Sequence, residues 1–457
     1  MKFYGLISGF FRVILGQWSG EEKRQGHTET LIYFLMEVFE IQGGKKLSGT
    51  ITVAGLKNAA TPILAATLLT KETCILKNLP LIEDVFRMLE ILESLGAKIE
   101  WRGKHTVAIT ARTIDVKKID QEIVKRLRSS IMLLGALPAR ADRFSIRQPG
   151  GCVIGARPVG THIDALEKLG VHIVGDGKNY VVNASKKKSG KVVLQGLSVT
   201  ATENAMLLAA TLPGKTVIKV AACEPHVEDL GKFLQAMGVH ISGLGTHTLI
   251  MTGKRKLKGA TYSIMPDHNE AATFLVLGAV TGSEITVKNA RADDLDIVLE
   301  KLKEFGVSFT IQKNIITVHP GKKLQAVKPW IDTRTYPGMP SDNQSIFGVL
   351  ATQAEGDTLI FETLYEGRFS YIPELIKMGA QADILNPHQV VIHGKTPLQG
   401  TIIKSYDLRA GVALIIAALV AKGTTIIEEI YQVDRGYERI EERLQKIGAR
   451  IIRKQVS

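Results

Sequence analysis

Two apolar periodicities alternate along this chain, and the alternation recurs six times. Before Gly96, the residues Val85, Met88, Leu89, Leu92 and Leu95 fall at helical spacing, and a short strand-like segment follows the glycine. The same helix end recurs as LEKLGVHI around Gly170, LQAMGVHI around Gly238, LKEFGVSF around Gly306, LIKMGAQA around Gly379 and LQKIGARI around Gly448. Successive glycines lie 74, 68, 68, 73 and 69 residues apart. Each stands where a left-handed helix cap is wanted, a conformation that a residue without a Cβ adopts at least cost. A second landmark lies within the units: AATPILAATLL, ENAMLLAATL, EAATFLVLGAV, QSIFGVLATQA and RAGVALIIAALV. These read as helices rich in small residues, able to pack closely inside a ring of sheets. Each leads through a turn into a strand, such as TVIKV at 216–220 or TTIIEEI at 424–430. The unit is therefore strand, helix, strand, helix, strand, strand. With two helices and a sheet in each unit, a simple hairpin solenoid is excluded, and two domains of three units each fit the length.

Composition narrows the function classes. Of 457 residues, 45% are hydrophobic and 23% charged, which is globular and excludes a disordered or fibrous chain. Lys and Arg number 58 against 45 Asp and Glu, a net charge of +13 that favours an anionic partner: nucleic acid, an acidic membrane surface or a phosphorylated small substrate. Aromatic residues make up only 6%, and no basic stretch is interleaved with them, so nucleic-acid stacking is weakly supported. Three cysteines, Cys74, Cys152 and Cys223, cannot frame a disulfide scaffold, which points to a reducing, cytoplasmic setting. No stretch approaches the ~20 apolar residues that a membrane span needs. Residues 1–35 look unlike the rest. Lys2 followed by FYGLISGFF resembles a signal peptide, but Arg12 interrupts the apolar run and no small-residue cleavage site follows Trp18. They read as a wrongly assigned start or a loose tail, and the patterned sequence opens at Met36.

Four groups of residues carry candidate chemistry. AGLKNAATP puts Lys57 and Asn58 at a strand-to-helix junction, where free N–H groups and the helix dipole favour a phosphate. The bland alternative is that Asn58 caps the helix and Lys57 is solvated. QPGGCVIGARPVGTHID, at 148–164, is a glycine-rich loop rather than a strand interior. Cys152 lies within it, with Arg147 and Arg157 on either side, and reads either as an acid or nucleophile or as one more small buried hydrophobe. Cys74 and Cys223 read as buried.

TRTYPGMPSDNQ, at 333–344, presents Asp342 just before a helix, as an N-cap or as a general base. Finally, Arg128, Arg368, Arg409 and Arg435 each lie beside a helix start. Their fork-shaped side chains suit bidentate contact with phosphate or carboxylate. Surface pairing of Asp434 with Arg435 and of Asp407 with Arg409 is the alternative. No metal-ligand spacing, GxxxxGK(S/T) loop or dinucleotide fingerprint is present, so no metal and no cofactor are expected.

Taken together, the segments GLKNAA, PGGC with IGARPV, SVTATENAMLLAATL, PGMPSDNQ, GRF, DLRAG and DRGYERIEERL closely resemble the UDP-N-acetylglucosamine 1-carboxyvinyltransferase family. Members are enolpyruvyl transferases that open peptidoglycan synthesis. The resemblance runs from Met36 to the C-terminus. It implies an α/β (α+β) fold, a two-domain inside-out α/β barrel of six βαβαββ-like repeats. Residues 57–265 would form one domain, with the cysteine loop, and residues 36–56 with 266–457 the other. It further implies that Cys152 donates a proton to C3 of phosphoenolpyruvate and is the residue alkylated by fosfomycin. Asp342 would face the sugar hydroxyl. Lys57, Arg157 and Arg435 would clamp the phosphate of phosphoenolpyruvate, Arg368 and Arg409 its carboxylate, and Asn58 and Asp407 would complete the pocket. UDP-N-acetylglucosamine would lie along Arg128, Arg157, Pro158, Val159, Gly160, Thr161, Ser198, Val199, Asp342 and Leu364. The implied enzyme is a monomer acting on two small substrates, with no nucleic acid and no stable membrane association.

Gly160, Gly196, Gly367 and His268 depart from the commoner pattern of the family, which has Asp, Lys, Asn and Arg in those places. Three other readings compete. The shikimate-pathway enolpyruvyl transferases lack the PGGC loop and the GARPV that follows it. A non-enzymatic paralogue that binds the nucleotide sugar is disfavoured by intact Lys57, Cys152, Asp342, Arg368 and Arg435. A nucleic-acid binder or RNA-end-processing enzyme rests on the charge alone.

Overall fold

The repeat is visible in a computed structural model that describes residues 36–150, 154–155, 157–321 and 323–456; the expectation placed on residues 1–35 falls outside the described residues. Six units follow one another, each with an inner and an outer helix. The inner helices are α1 (Lys57–Ala66), α3 (Leu133–Ala136), α5 (Val199–Ala209), α7 (His268–Thr281), α9 (Gln344–Thr352) and α11 (Leu408–Val420). The outer helices are α2 (Glu83–Ser94), α4 (Gly160–Lys168), α6 (Pro225–Ala236), α8 (Asp296–Glu304), α10 (Ile372–Lys377) and α12 (Ile440–Gln445).

Inner helices are apolar on every side, and they are buried accordingly: every residue of α9, and every residue of α11 from Leu408 to Leu419, is buried. Outer helices are amphipathic. In α2 the buried side is Val85, Met88, Leu89, Ile91 and Leu92. The six glycines that end the outer helices all take positive φ, from +79° at Gly170 to +103° at Gly96, as their place in the repeat requires.

Six small sheets accompany the helices, five of four strands and one of three among the described residues. The strand Met36–Gln42 lies antiparallel between Thr424–Glu428 and Arg450–Val456, with Phe39 opposite both Ile427 and Arg453. The next strand, Ser48–Thr52, runs parallel to Glu284–Lys288, so the first two strands of the described chain are built into its later half.

Buried apolar residues form two cores. One gathers residues from Leu56 to Met265, and the other joins Phe39–Val53 with Ala271–Ile451. The chain passes between the cores along two adjoining segments. There the Leu56 N–H donates to Met265 O (2.8 Å), and the Asp267 N–H donates to Ala54 O (2.9 Å). Buried Glu270 braces the crossing, accepting the Ala54 N–H at 2.7 Å on one oxygen and pairing with Arg443 through the other.

Close approach of strand to inner helix demands glycine at equivalent places in the two cores. A Cβ on Gly253 would lie 2.1 Å from Ala209 O, and one on Gly43 would lie 2.2 Å from Ala418 O. Both obstacles are backbone and cannot swing aside. Gly253→Ala and Gly43→Ala are each expected to cost roughly 1–3 kcal/mol of stability. Gly103→Ala, whose nearest contact would be an ordinary 3.8 Å, should stay within about 0.5 kcal/mol of the parent. Urea unfolding of the three variants checks this, and indistinguishable midpoints would refute the steric account.

Candidate active site

Because the units share one plan, their inner helices place the same end at equivalent positions. Lys57 and Asn58 open α1, Val199 opens α5 with Ser198 as its cap, and Leu408 opens α11 with Asp407 as its cap. Asp342 lies in the single turn Ser341–Asn343 before α9, and Arg128 opens the turn Arg128–Met132 before α3. Helix N-termini carry partial positive charge and unpaired N–H groups, which suit anionic ligands.

The first cluster joins the two cores. Lys57 Nζ lies 2.5 Å from Asp84 Oδ2, and Arg435 Nε donates to Asp84 Oδ1 at 3.0 Å. Burial alone would raise the Asp84 carboxyl. Lys57 and Arg435 outweigh it and hold the group below the usual carboxylate range. Asp84 thus keeps two cations side by side.

The second cluster centres on Asp342. Arg368 Nη2 donates to its Oδ1 at 2.5 Å and Arg409 Nη2 to its Oδ2 at 3.0 Å. Against the burial that would raise it, Arg409 and Arg368 hold Asp342 far below the carboxylate range, and Lys57 adds to this across the cleft. Arg409 is anchored from behind, its Nη1 donating to Tyr437 Oη at 3.2 Å. Asp407 accepts the backbone N–H groups of Arg409 (2.8 Å) and Ala410 (3.1 Å), and Ser370 Oγ donates to its other oxygen at 3.2 Å.

Of the cysteine loop, Ile154 and Gly155 are described, and both approach the segment Glu366–Gly367. Cys152 itself is outside the described residues, but the loop's Ile154 O accepts the Gly367 N–H at 3.0 Å, immediately before Arg368. Arg128 Nη2 donates to Arg157 O at 2.7 Å. The guanidinium groups of Arg157 and Arg368 both face the Tyr365 ring, at 5.8 and 5.5 Å from its centroid. Pro158, Val159, Gly160 and Thr161 lead from Arg157 into α4, and Leu364 stands exposed next to Tyr365. A Cβ at Gly160 or Gly196 would meet nothing within 4 Å, so packing does not require glycine at either.

Several bland readings of the sequence give way here. Asn58 is not the helix cap, since that position is Leu56, and no side chain caps α1. Lys57 is paired rather than merely solvated. Arg435 pairs with Asp84, while Asp434 binds Arg453 at 2.7 Å. The Arg409 guanidinium turns to Asp342, while Asp407 takes backbone N–H groups, the Ser370 hydroxyl and Arg368, whose Nη1 lies 3.9 Å from its Oδ1. Cys74 and Cys223 are buried, and burial pushes the Cys74 thiol up to about 11.

Sequence reasoning missed four residues that shape the site. Asp84 reads in sequence as one of two acids in a first helical turn. Glu362, fully buried, accepts from Ser341 Oγ (2.8 Å), Thr333 Oγ1 (2.9 Å) and the N–H groups of Leu364 (2.9 Å) and Tyr365 (3.2 Å), tying the Asp342 loop to the Arg368 loop. Tyr365 is the third. The fourth, His162, accepts on Nδ1 from the Asn204 amide (2.9 Å), so its Nε2 carries the proton, 3.1 Å from Thr200 Oγ1. Burial, aided by Arg128 and Arg157, pushes it down to about 3. Among the described residues, no group of three or more His, Cys, Asp or Glu could hold a metal ion, and no helix is long and apolar enough to cross a membrane.

A family model described as EPSP synthase (3-phosphoshikimate 1-carboxyvinyltransferase) matches residues 41–444. A Koribacter versatilis protein named UDP-N-acetylglucosamine 1-carboxyvinyltransferase is 41% identical over 422 residues, covering 92% of this chain and 96% of its own length. Proteins of the same name from Methylacidiphilum infernorum and Proteus mirabilis are each 42% identical, over 92% of this chain and 99% of theirs. Among solved structures, the enolpyruvyl transferase NikO from Streptomyces tendae superposes with a TM-score of 0.84 at 25% identity, over 92% of this chain and all of that one. An EPSP synthase from Acinetobacter baumannii shares the fold, with a TM-score of 0.70 at 20% identity over 92% of this chain and all of its own.

Replacing Asp84 by Asn leaves Lys57 and Arg435 facing each other without a counter-charge. The expected cost at pH 7 is roughly 3 kcal/mol, as for other broken buried pairs. Because the folded carboxyl titrates below its unfolded value of about 3.9, the contribution is present above that value and is lost as pH falls through the folded one. The gap between parent and Asp84→Asn in urea unfolding should therefore hold from pH 7 to about 4 and shrink below. A gap unchanged at still lower pH would overturn this.

Proposed function

This chain belongs to the UDP-N-acetylglucosamine 1-carboxyvinyltransferase family, and from that premise we propose that it transfers the enolpyruvyl group of phosphoenolpyruvate to the 3-hydroxyl of UDP-N-acetylglucosamine, releasing phosphate, in peptidoglycan synthesis. The observation that carries the reading is the match along 92% of the chain to relatives of that name. The two cation clusters, which suit a substrate with a phosphate and a carboxylate, add to it.

In this reading the 3-hydroxyl adds to C2 of phosphoenolpyruvate while C3 takes a proton, and loss of a C3 proton and of phosphate gives the enol ether. Lys57 and Arg435, held together by Asp84, receive the phosphate with Arg157. Arg368 and Arg409 receive the carboxylate, and Asn58 and Asp407 close the pocket around it. Asp342, kept ionised by its two arginines, faces the 3-hydroxyl as base or orienter. Cys152 protonates C3 and is the target of fosfomycin. The nucleotide sugar lies along Arg128, Arg157–Thr161, Ser198, Val199 and Leu364, with the N–H groups at the start of α5 near its diphosphate.

The two buried cores support a division into domains at 57–265 and at 36–56 with 266–457. Their approach over bound substrates excludes water from the tetrahedral intermediate. The enzyme acts in the cytoplasm as a monomer, without nucleic acid, a stable membrane contact or a cofactor. The three cysteines agree with a reducing compartment.

Phosphate release measured with both substrates, with each alone and after fosfomycin tests the reading. Release should need both substrates and stop after fosfomycin. Cys152→Asp should keep part of the turnover, since a carboxylic acid can also donate the proton, and should no longer be alkylated. No release from folded protein would sink the assignment, and equal labelling of parent and variant would remove Cys152 as the target.

A further inference from the structure

The start of α5 carries three hydroxyl side chains, and each is used differently. Ser198 Oγ caps the helix, accepting the Ala201 N–H at 3.3 Å. Thr202 Oγ1 donates to Ser198 O at 2.8 Å and accepts the Ala222 N–H at 2.9 Å, so both of its roles are filled inside the protein. Thr200 stands between them on the first turn, partly exposed, with its oxygen 3.1 Å from His162 Nε2.

A chain of direct contacts decides which of these two atoms gives the proton. On α3, the Gly135 N–H donates to Asn204 Oδ1 at 2.8 Å, which fixes the side of the amide that carries oxygen. Glycine permits this approach, since a Cβ on Gly135 would lie 2.7 Å from the same oxygen. The Asn204 amide nitrogen then donates to Ile131 O at 3.1 Å and to His162 Nδ1 at 2.9 Å. A neutral ring that accepts on Nδ1 carries its proton on Nε2, so Nε2 donates to Thr200 Oγ1. His162 and Asn204 are both buried, and burial with Arg128 and Arg157 nearby keeps the ring neutral at pH 7.

A hydroxyl whose oxygen already receives a proton still has its own O–H to give. Among the described residues, nothing accepts it from Thr200. The backbone leaves two more donors on the same turn. Ser198 takes the N–H groups of Ala201 and Thr202, on its hydroxyl and its carbonyl, and those of Val199 and Thr200 have no acceptor within the helix. Two N–H groups and one O–H, with no acceptor among them, match a group that only accepts hydrogen bonds. Phosphate oxygens are such a group, and a neutral sugar hydroxyl is not.

We propose that Asn204 and His162 hold the Thr200 hydroxyl as a donor to the diphosphate of the nucleotide sugar, an inference that rests on the functional reading above. Thr200 is then a binding residue. His162 and Asn204 touch no substrate and are positioning residues, acting through Thr200.

The test measures binding of UDP-N-acetylglucosamine and of UDP by isothermal titration calorimetry, with steady-state kinetics alongside. Thr200→Val removes the hydroxyl at nearly constant shape and should raise Kd for both ligands about 10-fold, the low end for a hydrogen bond to a charged group. Thr200→Ser keeps the donor and should bind like the parent. KM for UDP-N-acetylglucosamine should rise with Kd in Thr200→Val, while kcat and KM for phosphoenolpyruvate stay near the parent values. His162→Leu should weaken binding by a smaller factor, and should cost nothing further when added to Thr200→Val. Both Thr200 variants alter a partly exposed first turn, so they decide the matter even where His162→Leu does not fold. Parent-like binding by Thr200→Val, or Thr200→Ser as weak as Thr200→Val, would overturn the proposal, and additive losses in the double variant would remove His162 from it. A parent that binds neither ligand would instead defeat the functional reading beneath it.

Discussion

A helix buried on every face can meet a ligand only at its ends. That constraint organises this molecule. Beyond their first turns the inner helices are mostly alanine, glycine and larger apolar residues, because sheets and outer helices crowd them on all sides. No polar side chain along their length has solvent or substrate to serve. The chemistry-bearing residues therefore collect at the N-terminal turns, where free N–H groups already attract anions. A sixfold repeat then sets equivalent ends at equivalent places, and a gathering of charged groups there is a consequence of packing.

Close-set cations repel, so the cleft holds as many acids as it needs to keep its cations in place. Asp84 holds Lys57 beside Arg435, and Asp342 holds Arg368 beside Arg409. Tyr365 provides a flat surface against which guanidinium groups from either side of the division lie. Of these contacts, Asp84 with Arg435 and Tyr365 with Arg157 link residues from both cores. The contacts that cross between the cores thus also set the positions of these charged groups, and partial burial strengthens them. Neutral histidines fit the same logic. Where arginines already abound, a further buried cation would be disfavoured, and His162, His226 and His268 are held uncharged.

Much of this was legible in the chain itself. The six glycines after the outer helices announce the repeat, since only a residue without a Cβ takes that turn cheaply, and all six have positive φ. The small-residue segments announce helices buried all round. Lys57, Arg368 and Arg409 stand out as basic residues at helix starts, whereas Arg435, expected at one too, follows the end of the short helix Tyr431–Asp434. Their partners did not stand out. Asp84 looks like any acid complementing a helix dipole, and Asp434 lies next to Arg435 in sequence yet binds Arg453. Glu362 carries no local signal, because its four hydrogen-bond donors come from two loops that meet only in the fold.

The sequence by itself determined what is local or periodic: helix type, capping glycines, the count of units, and which residue types are available for chemistry. Those properties depend on neighbours a few positions away, which the linear order records. Tertiary structure alone decided which acid faces which base, and that the first strands of the described chain complete sheets of its later half. It also decided that two histidines 42 positions apart stack between the cores. Pairing of that kind is settled by the packing of whole units against one another, and sequence separation carries no information about it.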